Sequence, residues 1–325
     1  MRYLACAMLA TLAVTGASRA QAPGDAAWPA KPIRFIVPFP AGSLSDTAAR
    51  LVGQRLAKPL GQPLIVDNRS GASGGIGVEA AAKAAPDGYT IVLGTTSTHA
   101  VAVSLNSQLS YDPLKDFAPV SLVGVSPYVL VAHPSVEARN VKELIALARA
   151  KPKALNSASA GPASLAHLAA ELFAATAGVE LTHGPYKSSA LAVLDLVNGR
   201  IEIQFGTIAP TLPHIRSGKL RALGVTGSAR LAALPEVPTL DEAGLPGYEA
   251  SLWIGILAPA RTPAPIVARL AREIAAVLES ADVREAFLAQ GLDPAPSTPQ
   301  AFAEYIRSEI AKWRKAVQAA AIRPE

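Results

Sequence analysis

The first residues here with chemistry to offer are a serine and its glycines. Gly71-Ala-Ser-Gly-Gly75 matches G-x-S-x-G, the strained turn that lifts a nucleophilic serine toward a histidine. Gly71-x-x-x-Gly75-x-Gly77 also has the glycine spacing of a dinucleotide-binding turn, and Tyr111-Asp-Pro-Leu-Lys115 has the Y-x-x-x-K spacing of a proton-relaying tyrosine–lysine pair. Context argues against all three. Pro113 breaks the helix that would set Tyr111 and Lys115 one turn apart. No acidic residue closes a strand where a ribose contact belongs, and 89–94 is plain. A glycine-rich turn entering a helix accounts for the cluster without catalysis. The five histidines (His99, His133, His167, His183, His214) show no H-x-x-x-H or H-E-x-x-H spacing, so no metal site is expected. Lys187 has the type for a Schiff base but reads as a solvated loop lysine. No cofactor and no enzymatic activity are expected, with a serine hydrolase using Ser73 as the enzymatic alternative.

What remains is anion binding by backbone. A strand runs into Pro38-Phe-Pro-Ala-Gly-Ser-Leu-Ser-Asp46 and then a helix, a turn that presents free N–H groups and about half a positive charge. The device recurs where a strand ending at Ser157–Ser159 passes through Ala160-Gly161-Pro162-Ala163 to a helix at Ser164. Either alone is ordinary helix capping. Their recurrence at the carboxyl ends of parallel strands, where open sheets bind ligands, suggests two jaws on one small anion. Hydroxyls of Ser97, Thr98 and Thr207 can serve its second polar end.

The elements that must hold these turns alternate. Apolar runs at 33–39, 64–67 and 90–94 read as buried strands, with helices at 46–58 and 77–85 between them. The run 120–132, broken by Ser126-Pro127, is too long for one strand and reads as a passage between domains. The rhythm restarts with a helix from Asn140 to Arg149, with Glu143 at its third position. Strands at 155–159, 181–186 and 201–207 enclose helices at 164–177 and 188–197, and a short helix lies near 212–217. Strands at 220–226 and 251–258 precede helices at 265–279, 282–290 and 299–320. Two α/β units joined by two crossings form a hinged clamshell with a cleft between them. The expected division is residues 1–22 as signal peptide, 23–126 plus 226–325 as the first domain, and 127–225 as the second.

Composition narrows the partners. The chain has 325 residues, half of them apolar, enough to build two cores. Met1-Arg2, an apolar run to Val14 and small residues up to Ala22 form a secretory signal layout, cleavable after Ala20 or Ala22. Its removal takes the single cysteine, Cys6, and excludes disulfide and dithiol chemistry. Only 5% of residues are aromatic and the basic ones are scattered, so no nucleic-acid partner is expected. The setting implied is a bacterial periplasm or a cell surface.

From Trp28 onward the chain resembles the extracytoplasmic binding proteins of tripartite tricarboxylate transporters, the Bug or TctC family. The matching stretches include Trp28-Pro-Ala-Lys-Pro-Ile-Arg34, residues 37–46, Leu60-Gly-Gln-Pro63, Asn68-Arg-Ser-Gly-Ala72 and Ala84-Ala-Pro-Asp-Gly-Tyr89. Others are Tyr111-Asp-Pro-Leu-Lys-Asp-Phe117, Gly184-Pro-Tyr-Lys187, residues 212–222, Leu234-Pro-Glu-Val-Pro-Thr239 and Glu242-Ala-Gly-Leu-Pro-Gly-Tyr248. The resemblance implies a type II periplasmic binding protein fold, a monomer that captures a small carboxylate and hands it to membrane permease subunits. A sensor feeding a two-component system shares the same binding chemistry. It also implies ligand contacts from the first loop (Phe39, Ala41, Gly42, Ser43, Ser45, Asp46) and the second (Ser159, Ala160, Gly161, Ser164), with Tyr186 the family tyrosine. Three departures stand out: Ser43 replaces a second glycine, Ser188 follows Lys187 in place of glycine, and Gly206 follows Phe205 where most members have aspartate. The missing carboxylate implies a wider floor and a bulkier ligand without an ammonium group, an aromatic or plain aliphatic carboxylate.

Overall fold

The computed structural model describes residues 28–161, 164–186 and 188–319, so the expected signal segment lies outside the described residues. Strands β1 (Ile33–Val37), β2 (Leu64–Asn68) and β3 (Thr90–Thr95) alternate with helices α1 (Leu44–Leu60) and α2 (Gly75–Ala82). A π-helical turn, Ser97–Val101, and α3 (Ala102–Leu105) lead to the long strand β4 (Phe117–Ala132). Then come α4 (Val141–Ala150), β5 (Asn156–Ser159), α5 (Leu165–Ala177), β6 (Thr182–Pro185), α6 (Ser189–Val197), β7 (Ile203–Thr207), α7 (Ile208–Arg216) and β8 (Arg221–Val225). The chain returns through β9 (Ser251–Pro259), α8 (Ala264–Glu279), α9 (Ala281–Ala289), β10 (Asp293–Pro294) and α10 (Pro299–Ala319).

Local chemistry sets the helix ends. Ser43, Asn140, Ser164 and Ser188 cap α1, α4, α5 and α6, each side chain accepting the N–H three residues on. Gly61 ends α1 at φ +73°, a left-handed conformation that costs glycine nothing.

One wiring is used twice. In the first lobe the strand order is β2-β1-β3-β9-β4, with β1, β2 and β3 parallel and β9 antiparallel to β3. In the second it is β6-β5-β7-β4-β8, with β5, β6 and β7 parallel and β4 antiparallel to β7. In each lobe the earliest parallel strand sits between the next two, and the fourth strand arrives from the other crossing. This is the type II periplasmic binding protein fold: two α/β lobes, a hinge of two crossings, and a cleft between.

The run read as too long for one strand is one strand. β4 spans 16 residues, and its pairing changes partner from β9 at Pro127 to β7 at Tyr128. Register shifts at Pro119/Ser121, Leu122/Gly124 and Leu130/Val131 bend it enough to serve both sheets. Beside the switch, Thr226 Oγ1 accepts from Tyr128 N at 2.7 Å and donates to Ala250 O at 2.6 Å, while Thr226 N donates to Tyr128 O at 2.9 Å. One side chain thus binds the outgoing and returning crossings together.

Helices cover the first sheet on both faces, α1 with α8 on one and α10 on the other. On the α10 side Trp253 packs edge-on against Phe302, their centroids 5.6 Å apart. The Glu309 carboxylate lies beneath, accepting from the indoles of Trp253 (3.0 Å) and Trp313 (2.9 Å) and pairing with Lys312.

Candidate functional site

The loops after β1 and β5 occupy equivalent places in the two lobes, and they are built alike. In each, a serine caps the following helix and takes the N–H of the third helical residue: Ser43 from Asp46 (3.2 Å) and Ser164 from His167 (3.3 Å). This leaves the N–H groups of Leu44 and Ser45 in one lobe, and of Leu165 and Ala166 in the other, in first turns with no hydrogen-bond partner among the described residues.

The first loop is braced from behind. Asp46, 3% exposed, points its carboxylate inward, accepting from Gly42 N (2.8 Å), Arg50 Nε (2.9 Å) and Asn68 Nδ2 (2.8 Å). Asn68 also donates to Phe39 O at 3.1 Å. Burial pushes the Asp46 carboxyl up, but these hydrogen bonds and the Arg50 charge outweigh it and hold it below the usual carboxylate range. The N–H groups of Gly42 and Asp46 are therefore engaged internally, and so is that of Ser43, which donates to Pro40 O. Phe39 is half-buried, and Ala41 and Gly42 are exposed, with Gly42 at φ +81°.

The second loop is braced by histidine. Ser159, fully buried, has its Oγ 2.6 Å from His183 Nε2 and accepts from Gly161 N at 3.1 Å. The His183 ring stacks on His167 at 3.7 Å, 8° from parallel. Burial and the adjacent His167 push His183 below the ordinary imidazole range, against the pull of Glu171. Ala160 is exposed, and Gly161 reaches φ +115°. Tyr186 sits at the loop's edge: its N–H bonds Ser159 O at 2.9 Å, and its hydroxyl donates to Asp195 at 3.0 Å.

The hydroxyls expected at a second polar end differ. Ser97 is half-buried at the start of the π turn. Thr98, 1% exposed, spends its hydroxyl on Thr95 N (3.0 Å) and His99 Nδ1 (2.9 Å), so it braces the turn rather than facing the cleft. Thr207 starts α7 without a side-chain capping bond and lines, with Leu44 and Tyr128, a pocket of about 240 Å³ at the junction of the lobes.

The floor at Gly206 is not widened. A Cβ there would lie 2.6 Å from Thr211 Cγ2, and Thr211 is fully buried with its hydroxyl on Thr207 O at 2.7 Å. The threonine methyl fills the space. Gly206→Asp alone is therefore expected to cost about 1–3 kcal/mol by overpacking, and Thr211→Ser, which removes only the methyl, should recover most of it. Urea melts of the two single variants and the double variant test this; an undamaged Gly206→Asp would refute it.

The enzyme-like motifs come apart. Ser73, at φ +54°, is bonded to no histidine among the described residues. Tyr111 donates to Thr98 O at 2.7 Å while Lys115 pairs with Asp112. The braces Arg50, Asn68 and His183 were not singled out as site residues; a polar residue closing β2 beside the first loop was the available signal for Asn68.

A larger cavity, about 760 Å³, opens beside the loops and is walled by α2, the π turn and α3, with Ser164 and Leu165 from the second lobe.

Comparison with known proteins agrees with this construction. The model of the tripartite tricarboxylate transporter family receptor matches residues 48–322. Protein BugT of Bordetella pertussis is 42% identical over 292 residues, covering 90% of this chain and 90% of that protein. Rpa4515 of R. palustris, solved with adipate, is 36% identical with a TM-score of 0.74, covering 92% of this chain and 100% of that one. MatC of Rhodopseudomonas palustris, solved with bound malate, is 34% identical with a TM-score of 0.69, covering 89% and 100%. The chain belongs to the receptor family of the tripartite tricarboxylate transporters.

Proposed function

We propose that the protein is a periplasmic solute-binding protein that captures a small carboxylate between its lobes and presents it to the membrane subunits of a tripartite transporter. The observation that carries this reading is the matched pair of loops. Each has a capping serine and two first-turn N–H groups without a partner among the described residues, and each sits at the carboxyl end of the first parallel strand of its lobe. The adipate and malate bound by relatives belong to the class such cradles favour.

In this reading the lobes divide as 23–126 with 226–325, and 127–225, and residues 1–22 direct export. The head group meets Ala41, Leu44 and Ser45 on one side and Ala160 and Ser164 on the other, with Ser97 and Thr207 at the margins. Asp46, Gly42, Ser43, Ser159, Gly161, Tyr186 and Asn68 hold these groups in place. A ligand that touches both jaws favours the closed form because the second set of contacts exists only there. The protein works as a monomer and performs no turnover.

A thermal-shift screen of carboxylates on mature protein, unfolded and refolded to strip bound ligand, tests the reading. A ligand at a hundred times its Kd should add about 2.7 kcal/mol of stability. A panel of mono-, di- and tricarboxylates that all leave the melting temperature unmoved would sink it.

A further inference from the structure

The 760 Å³ cavity lies against the first-lobe loop. Gly74 and Gly77, which carry its wall, approach so closely that Cβ atoms there would lie 3.4 Å from Pro38 O and 2.9 Å from Pro38 Cα. Ser164, the cap of the opposing loop, is itself part of the lining. The cavity thus reaches the second-lobe cradle at Ser164 and adjoins the first-lobe loop through the packing of this segment on Pro38, and its volume falls in the range of small-molecule sites.

Its lining has a definite chemistry. Ile76, Val101, Ala102, Leu105, Leu109 and Leu165 supply apolar surface, neutral hydroxyls and amides such as Ser97, Asn106 and Gln108 lie among them, and Ile76 is 53% exposed, a large aliphatic side chain with little of this molecule covering it. Among the described residues no lysine or arginine lines the cavity, and the one charged residue is Glu79, held as a carboxylate by Lys83 and Ser110.

The backbone beneath is irregular in two independent places. Ala72 and Ser73 take consecutive left-handed conformations (φ 47° and 54°), and Ser97–Val101 winds as a π turn. Non-glycine residues in that region and π turns both concentrate where proteins build sites.

From this geometry we propose that the cavity is a tail subsite, and that the preferred ligand is a monocarboxylate with an apolar body, an aromatic ring or a medium aliphatic chain, rather than a dicarboxylate. The inference rests on the carboxylate reading above: the cradles take the head and the cavity takes the body. A second carboxylate on that body would meet the Glu79 carboxylate and neutral hydroxyls and amides, with no cation among the described residues to receive it.

Isothermal titration of the refolded mature protein with butanoate, hexanoate, octanoate, benzoate and adipate is the test. Affinity should rise about fourfold per added methylene until the cavity is full, and adipate should bind at least tenfold more weakly than hexanoate. Ile76→Asp, on an exposed position, should weaken octanoate and benzoate at least tenfold while leaving butanoate within about threefold; circular dichroism checks its fold. Affinity flat with chain length, adipate matching hexanoate, or Ile76→Asp weakening all ligands equally overturns the tail subsite and leaves the carboxylate reading intact. If no carboxylate binds, tricarboxylates included, both fall.

Discussion

Asp46→Ala is expected to lower carboxylate affinity by at least a hundredfold and unfolding free energy by about 2–4 kcal/mol. The carboxylate faces inward, so the loss is of support. Without it, Gly42 N–H and the Asn68 amide are left in a loop that has no other acceptor shaped for them, and Asn68 no longer anchors both Asp46 and Phe39 O. Arg50 contributes less, because it is half exposed and its attraction is screened by water. Ligand titration and urea unfolding measure the two effects. The pH dependence gives a second check. Because Asp46 is held below its unfolded value, its contribution is fully present above the ordinary carboxylate range and disappears as pH falls through the depressed folded value. The stability gap between the parent protein and Asp46→Ala should therefore be constant above about pH 5 and close below about pH 4. Parent-like binding in the variant would remove the brace from the account.

Glu309→Ala should be the most destabilising single change outside the loops, by about 3–5 kcal/mol, because it strands buried groups that a carboxylate satisfied. Its side chain is 2% exposed and collects two indole N–H groups and the Lys312 ammonium, which also meets Glu249 at 2.9 Å. Burial pushes Glu309 up while Lys312 pulls it down; the two carboxylates together raise Lys312 against its own burial. The midpoint of thermal unfolding should fall by roughly 10 °C. Glu309→Gln keeps the acceptor for the indoles and should lose about half as much. A drop of under 2 °C for the alanine variant would contradict the role given to this cluster.

Much of the fold was legible because short-range physics decides it. The alternation of apolar runs with capped helices places nearly every element, and Asn140 with Glu143 marks the start of α4 to the residue. β4 misled because length arguments assume one sheet per strand, whereas its partners change at Pro127 and its bulges absorb the difference in twist. The two candidate loops and their helix caps were legible, and the direction of their side chains less so. Asp46 was expected among the ligand contacts, and its carboxylate faces inward; Thr98 was expected to offer its hydroxyl to a ligand, and that hydroxyl is buried and bonded within the turn. Gly206 looked like a gap, and the filler, Thr211, lies five residues along on the next helix. Direction and filling are tertiary facts with no local signature. Nor does any spacing rule announce that His167 and His183 stack, since the contact exists only once β6 lies beside β5.

The knot at Thr226 governs how the molecule can move. Two strands bonded face to face through a shared hydroxyl behave as a laminate: they flex across the thin direction and resist sliding past each other. The lobes are therefore expected to approach by bending about the paired crossings rather than by sliding, so that the length of whatever lies between them becomes an angle. Cutting the knot with Thr226→Val would add shear to that bending and blur the angle, without altering a single atom that the guest touches.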